Sequence, residues 1–581
     1  MAIGKFTIRV VTLCASVLAV PACGPGAGRD PGPAADLVLV NGAFYTVDAA
    51  RRWVEAVAVR DGRLSYVGND AGALALAGPA TPVIDLGGHM VLPGIHDVHI
   101  HPVTSGVDML ACDLTPYTTT ADYLTAIEGC ATRKPDAEWI TGSGWLMSTF
   151  GPGARASRTL IDGVVPDRPV FLESADGHSA WVNSKALEIA GIAAATPDPD
   201  GGRIDREADG ETPLGSLQEN ATELVERYVP DPGPAGREAG LRFAIDMLSS
   251  YGVTSIQEAM ATEQELQAYR TLDERGELDL RVVAAMLWDR ERGLEQIDDL
   301  IALRDEYTGG RLRSTAVKFW YDGVMENYTA LMLEPYLGQN GGRGISMLDP
   351  DVMRRAVSRL DAAGFQVHFH AIGDAAVRDA LDAIEAARNA NGDRDSRHHI
   401  AHLELIDPVD IPRFRELGAA ANFQPLWAYP DAYITDLTVP FIGPERSHRL
   451  YPIGSMYRSG AVIAFGSDWS VSTANPFHQI ETAILRRDAL DASGDMLLPE
   501  QAIALPEAIA AFTINGAWVN HSERDTGSIE TGKFADLVVL DRNLFEIPPE
   551  DISETRALLT LLEGRVVFGR LDRFRREAAA Q

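Results

Sequence analysis

The sequence predicts an α/β protein: a (β/α)8 TIM barrel, a small β-sandwich formed by both chain ends, and a subdomain inserted after barrel strand one. Three observations carry this. Eight short apolar runs alternate with helical patterns through the middle of the chain, the signature of a parallel sheet with crossover helices. Two sets of short strands, neither able to bury a core alone, lie at opposite ends. About 150 residues separate the first two barrel runs, far more than a loop holds.

Taken in order, the chain opens with Lys5 and Arg9 ahead of the apolar run 10–20, which reads as a signal peptide over 1–22. Val20-Pro21-Ala22-Cys23 resembles a lipobox in which Cys23 becomes the lipidated mature N-terminus; cleavage after Ala22 without lipid is the alternative. Residues 23–35, rich in Gly, Pro and Ala, form a flexible tether. The sandwich takes 36–90 and returns over 523–570, with a tail over 571–581. Barrel strand one lies within 91–103, the insertion within 104–234, and the rest of the barrel within 235–522. The barrel runs are 91–101, 253–257, 280–287, 315–321, 365–370, 398–403, 419–423 and 462–466. Helical patterns such as 351–363 and 374–391 lie between them, with apolar residues recurring at three and four.

Composition narrows the function. At 581 residues, with 46% hydrophobic and 23% charged, the chain is an ordinary globular protein of more than one domain. A net charge of −32 argues against nucleic acid and against adsorption to anionic lipid. The expected partner is a small-molecule substrate. The membrane is reached only through the lipid anchor, the compartment is the periplasm, and a homodimer is the assembly this reading allows. Of the four cysteines, Cys112 and Cys130 alone remain in the folded body, and in an exported chain they are expected to form a disulfide.

The chemistry lies at strand ends, where barrel enzymes place catalytic groups. In Asp97-Val98-His99-Ile100-His101, residues two apart share one side, so His99 and His101 project together as metal-ligand candidates. Run four, Ala316 to Tyr321, carries one lysine, Lys318, either paired with a carboxylate such as Asp322 or depressed in pKa by burial. In the latter state the amine can take up carbon dioxide as a carbamate. His370 ends run five and His402 ends run six, while His398 and His399 are read as surface residues or as supports behind the ligands. Asp468, after run eight, is a helix cap or a working carboxylate.

This distribution over strands one, four, five, six and eight resembles the amidohydrolase superfamily. More closely, it is similar to the amidohydrolase-3 branch, the YtcJ-like proteins that include N-substituted formamide deformylases. The similarity runs from Asp36 to about Phe568. It rests also on Asp176-Gly177-His178-Ser179-Ala180-Trp181, Gly201-Gly202-Arg203-Ile204, Val317-Lys318 with Asp322-Gly323, His370-Ala371-Ile372-Gly373-Asp374, and Gly532-Lys533-Phe534-Ala535-Asp536. Trp469-Ser470-Val471 and Val324-Met325-Glu326-Asn327 depart from the branch pattern near the expected pocket.

The resemblance implies one or two divalent metals, zinc foremost. His99 and His101 would hold one, His370 and His402 the other, with carbamylated Lys318 bridging. Asp468 would coordinate or stand beside the activated water, as base and then acid. His178 would contact the substrate carbonyl or serve the insertion structurally. Aromatic residues near strand ends, Trp145, Trp320, Trp427, Tyr429 and Trp469, are candidate pocket walls. The expected activity is hydrolysis of a non-peptide amide-type C–N bond in a small, largely apolar molecule through a metal-activated water. An ester or lactone hydrolase or an isomerase on the same ligands is the first alternative, and a dead barrel serving as a binding lipoprotein the second.

Overall fold

The computed structural model describes residues 34–151, 155–339, 341–491 and 493–574. The expected signal peptide, Cys23 and all but the last two tether residues lie outside the described residues. Ala35, assigned to the tether, is buried and bridges Ala77. Among the described residues no helix is long and apolar enough to cross a membrane.

Eight parallel strands follow one another in chain order: Ile95–Ile100, Val253–Ala261, Arg281–Leu287, Leu312–Trp320, Gln366–Ala371, His399–His402, Ala420–Phe423 and Val462–Phe465. They are short and mostly apolar because helices cover one face and layered side chains fill the other. The residues just after strand eight meet strand one through their main-chain N–H groups. The Ser467 N–H donates to Asp97 Oδ1 (3.0 Å) and the Asp468 N–H to the His99 carbonyl (2.7 Å). The outer helices form as their periodicity predicts. Asp349 caps Pro350–Ala362 by accepting from the Asp351 and Val352 N–H groups, and Met353, Ala356, Val357 and Leu360 bury one face.

The run expected as a single first strand, 91–101, is two strands. Met90–Pro93 belongs to the sandwich, paired with Ala43–Tyr45 and Leu537–Leu540, and only Ile95–Ile100 enters the barrel. Gly94 is the break: a Cβ there would lie 2.1 Å from Thr254 Oγ1, so only glycine lets the chain pass between the layers. Hydrophobic continuity hides such a change of sheet.

The sandwich does come from both ends. A four-stranded sheet (Leu37–Val40, Ala56–Arg60, Arg63–Gly68, Val83–Asp85) faces a six-stranded one to which Leu537–Leu540, Ala557–Leu562 and Arg565–Gly569 contribute. Leu39, Phe44, Val57, Val91, Leu537 and Leu559 fill the space between them, and Phe574, assigned to the tail, is buried there too.

The insertion also starts later than expected. Pro102–Leu110 is a helix packed on Gly233–Ser250 of the barrel wall. The inserted body is a six-stranded mixed sheet from Cys112–Asp113 to Pro213–Glu219. A Cys112–Cys130 disulfide ties its edge strand to the helix Thr120–Arg133. One turn of this sheet, 175–178, reaches over the open end of the barrel and brings His178 there.

Candidate metal centre

The ends of barrel strands one, five and six and the residues after strand eight converge on one buried point. Asp468 is its hub. Its Oδ1 lies 3.1 Å from His101 Nε2 and 3.4 Å from His99 Nε2, and its Oδ2 lies 3.8 Å from His402 Nδ1. His99, His402 and Asp468 offer ligand atoms that all lie within 4.8 Å of one another. Asp468 reaches this position with φ 53, a left-handed conformation rare outside glycine, fixed by its bond to the His99 carbonyl. Burial alone would raise the Asp468 pKa. His99 and His101 more than offset that and hold it well below the usual carboxylate range.

His370 stands beside this triad, its ring 4.4 Å from that of His402. Its Nε2 and both nitrogens of His402 are buried without a hydrogen-bond partner among the described residues. Each such group costs about 1–3 kcal/mol when left bare. A divalent cation would take His370 Nε2 and one nitrogen of His402, and neutral imidazole with carboxylate is the donor set that zinc takes. The residues present therefore fit a metal.

Lys318 is buried in the same interior, and burial pulls its amine down to about 7 despite the opposing charges of Asp468 and Glu258. Of the two readings the sequence allowed for it, pairing with Asp322 is excluded. The Asp322 carboxylate is taken by the N–H groups of Leu331, Ile372 and Gly373 (2.9, 3.0 and 2.9 Å). No carboxylate among the described residues comes within 4.0 Å of the lysine amine.

His178 enters from the insertion, its ring 5.2 Å from that of His370 and 4.9 Å from that of Trp320. Its Nδ1 lies 2.9 Å from Glu219 Oε2. Burial would lower its pKa, but Glu219, with Asp176, carries it up to about 9, so it faces the cavity as an imidazolium.

Several partners of these residues went unread in the sequence. Glu258, at the end of strand two, places Oε1 3.6 Å from His101 Nδ1 and accepts from the Tyr269 hydroxyl (2.8 Å). A lone acid in the apolar run Val253–Ala261 was the available signal. His368 Nε2 lies 2.8 Å from His99 Nδ1. Asp97 Oδ1 accepts the N–H of His99 (3.2 Å) and of Ser467, pinning strand one to strand eight. His398 and His399 are both buried, which removes the surface reading. His399 packs at a tilt against His368, ring centres 4.0 Å apart, and His398 accepts the Val367 N–H and lies 3.3 Å from Asp361.

A cavity of about 890 Å³ opens over the centre. Trp320, Trp427 and Tyr429 line it, and Trp427 lies flat on His402 at 5.4 Å. Trp145 and Trp469 do not. Trp145 is wholly buried in the insertion, donating to the Leu172 carbonyl, and Trp469 turns outward to stack on Phe243 at 6.4 Å.

A parallel eight-stranded barrel with histidines, a buried lysine and an aspartate at these strand ends is the scaffold of a metal-dependent hydrolase. The Amidohydro_3 model, described as an amidohydrolase family, matches residues 82–568, and the chain belongs to that family. It is 31% identical over 552 residues to Protein LONG AFTER FAR-RED 3 of Arabidopsis thaliana, covering 92% of each chain. It is 27% identical over 547 residues to an N-substituted formamide deformylase of Arthrobacter pascens, covering 92% of this chain and 98% of that one. Among solved structures it resembles a metal-dependent hydrolase of Pyrococcus furiosus (TM-score 0.67, 26% identity, 87% of this chain and 99% of that one).

Proposed function

We propose that this amidohydrolase cleaves a non-peptide amide-type C–N bond in a small, largely apolar molecule. The observation that carries the reading is Asp468, ionised and buried among His99, His101 and His402 at the floor of the cavity, with bare imidazole nitrogens beside it. The bond type is supported by the family and by the relative named for deformylating N-substituted formamides. The apolar body of the substrate is supported by Trp320, Trp427 and Tyr429 on the cavity wall.

His99, His101, His370, His402 and Asp468 would hold one or two divalent cations, zinc foremost. Lys318, with its lowered pKa, would suit carbamate formation and serve as a further ligand. A cation so held supplies Lewis-acid polarisation of the scissile carbonyl and lowers the pKa of water. Asp468 takes the proton of the attacking water on its carboxylate and returns it to the departing amine. The His178 imidazolium, oriented by Glu219, donates a hydrogen bond to the carbonyl oxygen as charge gathers there. Trp320 and Trp427 flank the site and keep bulk water from the reacting centre.

The same reading puts the enzyme outside the cytoplasm, tethered through Cys23. Lys5, Arg9 and the apolar run after them support export, and the Cys112–Cys130 disulfide suits an oxidising compartment. Labelling with a palmitate analogue should mark the wild type and not Cys23→Ser.

The deciding experiment is kcat/KM for N-aryl and N-alkyl amides and formamides against matched esters and peptides, with metal content measured on the same preparation. Amides are expected to lead, with one to two equivalents of metal bound. Esters ahead by tenfold would move the enzyme to the ester class. No turnover of either would favour a binding protein.

A further inference from the structure

The cavity does not end at the metal centre. After strand six the chain turns through two left-handed residues that are not glycine, His402 (φ 78) and Leu403 (φ 55). Side chains make this conformation costly, and the surroundings must enforce it. Its consequence is that His402 and Glu404 both line the cavity. Their Cα atoms stand at most about 7 Å apart along the chain. Glu404 is 4% exposed, and its Oε2 has no hydrogen-bond partner among the described residues.

Glu404 has acidic company. Glu326, Asp431 and Asp176 line the same cavity, near enough to Glu404 or Glu326 for their charges to be felt there, and make its acidic lobe; Asp176 Oδ2 is also buried without a partner among the described residues. Burial pushes Glu326 up to about 7 and Asp431 up to about 6, as it must where like charges gather away from water. His178, the cation on this wall that acts on Asp176, is already held by Glu219. Around the cavity acidic side chains outnumber lysine and arginine by fourteen to three. Arg290 and Arg292 are engaged by Glu223 and Asp299, and Lys318 lies at the metal centre. Trp427, Tyr429, Tyr433 and Tyr451 complete the lobe. Carboxylates interleaved with aromatic faces make a receptor for an organic cation.

We propose that this lobe is a cation subsite, and that the substrate is an amide bearing an ammonium group a short linker from its carbonyl. Glu404 and Glu326 take the charge, with Asp431 and Asp176 behind them and Trp427 against the alkyl groups, while the carbonyl rests at the metal centre. The proposal rests on the amide-hydrolase reading for the bond, and on the lobe alone for the charge.

The test is made on the full, metal-loaded chain by tryptophan fluorescence titration. The probes are benzyltrimethylammonium and neopentylbenzene, which differ only in the charged atom. The cation should bind at least tenfold more tightly, and Glu404→Gln and Glu326→Gln should each shrink that ratio at least threefold. Should a variant fail to fold by circular dichroism, the wild-type ratio and the other variant decide. Equal binding of the two probes would overturn the proposal, as would an unchanged ratio in both folded variants. Displacement of the probe by millimolar calcium with tighter affinity would overturn it too, in favour of an inorganic ion. The outcome is separable from the bond type: charge preference with only esters hydrolysed leaves the subsite standing and the amide reading fallen, and amide turnover without charge preference does the reverse.

Discussion

Gly466 carries the end of barrel strand eight across the back of His99. A Cβ built there would lie 2.5 Å from the His99 nitrogen and 2.6 Å from its Cβ. Neither atom is a flexible tip that could swing away. Comfortable contact needs about 3.4 Å or more, so Gly466→Ala must drive the two strands apart by roughly 0.9 Å. Overpacking of this kind costs about 1–3 kcal/mol, which a large barrel survives. The site does not escape so easily. His99 Nε2 stands 3.4 Å from Asp468 Oδ1, and the Asp468 N–H hangs on the His99 carbonyl at 2.7 Å, so both would-be ligands move with the junction. A misplacement near 1 Å at a catalytic centre costs about 10²-fold in rate. Gly466→Ala should therefore fold and should lose on the order of 100-fold in kcat/KM along with part of its metal. Gly309→Ala is the control, because its added Cβ would meet nothing within 4 Å. The assay is kcat/KM with metal content by plasma emission on both variants. A Gly466→Ala enzyme within threefold of wild type on both measures would show that the strand junction does not set the site.

Asp468→Asn should keep most of the metal and lose at least about 10²-fold in turnover, as a proton-carrying group would; a loss under tenfold would remove it from that role. Replacing Cys112 and Cys130 with serine should lower the insertion's stability by roughly 3 kcal/mol in denaturant titrations, the chain-entropy cost of a loop this long. A change below about 1 kcal/mol would show that the loop is already restrained without the bond. Asp361 gives a pH test: burial opposes its ionisation, but His398, Ser396 and Asn391 pull its pKa down to about 2. Since the folded value lies below the unfolded 3.8, its stabilisation is full above pH 4 and is lost as pH falls from 4 to 2. Asp361→Asn should remove about 2 kcal/mol of that acid-limb dependence, and an unaltered acid limb would contradict the assignment.

The site residues were legible because barrel strands one, five, six and eight are largely apolar runs that close on, or just before, a histidine or aspartate. A run that ends in histidine or aspartate therefore names both a strand and a side chain at its mouth. His99, His101, His370, His402 and Asp468 were all found this way. Partners were not. His368 meets His99 across 269 residues of sequence, and His178 meets Glu219 across 41, and no local pattern records such pairings. Side-chain direction just beyond a strand was equally hidden, because it depends on the turn that follows. The alternation that read His99 and His101 correctly has no hold on Trp469. Gly94 marks the same limit for layers: an unbroken apolar run conceals a change of sheet that a single glycine permits.

The interior beneath the site explains why those hidden partners matter. Barrel interiors are usually filled by branched aliphatic side chains. Here the layer under the metal centre holds His368, His399 and Asn422, all fully buried. For His99 to offer Nε2 to a metal, its proton must sit on Nδ1, and the atom facing Nδ1 at 2.8 Å is His368 Nε2. His368 can accept that proton only if it is uncharged. Burial, aided by its proximity to His399 and Lys318, holds its pKa well below the ordinary imidazole value and so keeps it neutral. His399 is kept neutral by the same burial and packs at a tilt against it without adding charge. A polar layer that would weaken an ordinary barrel core thus offers His99 a neutral acceptor for an Nδ1–H, which an aliphatic layer could not do.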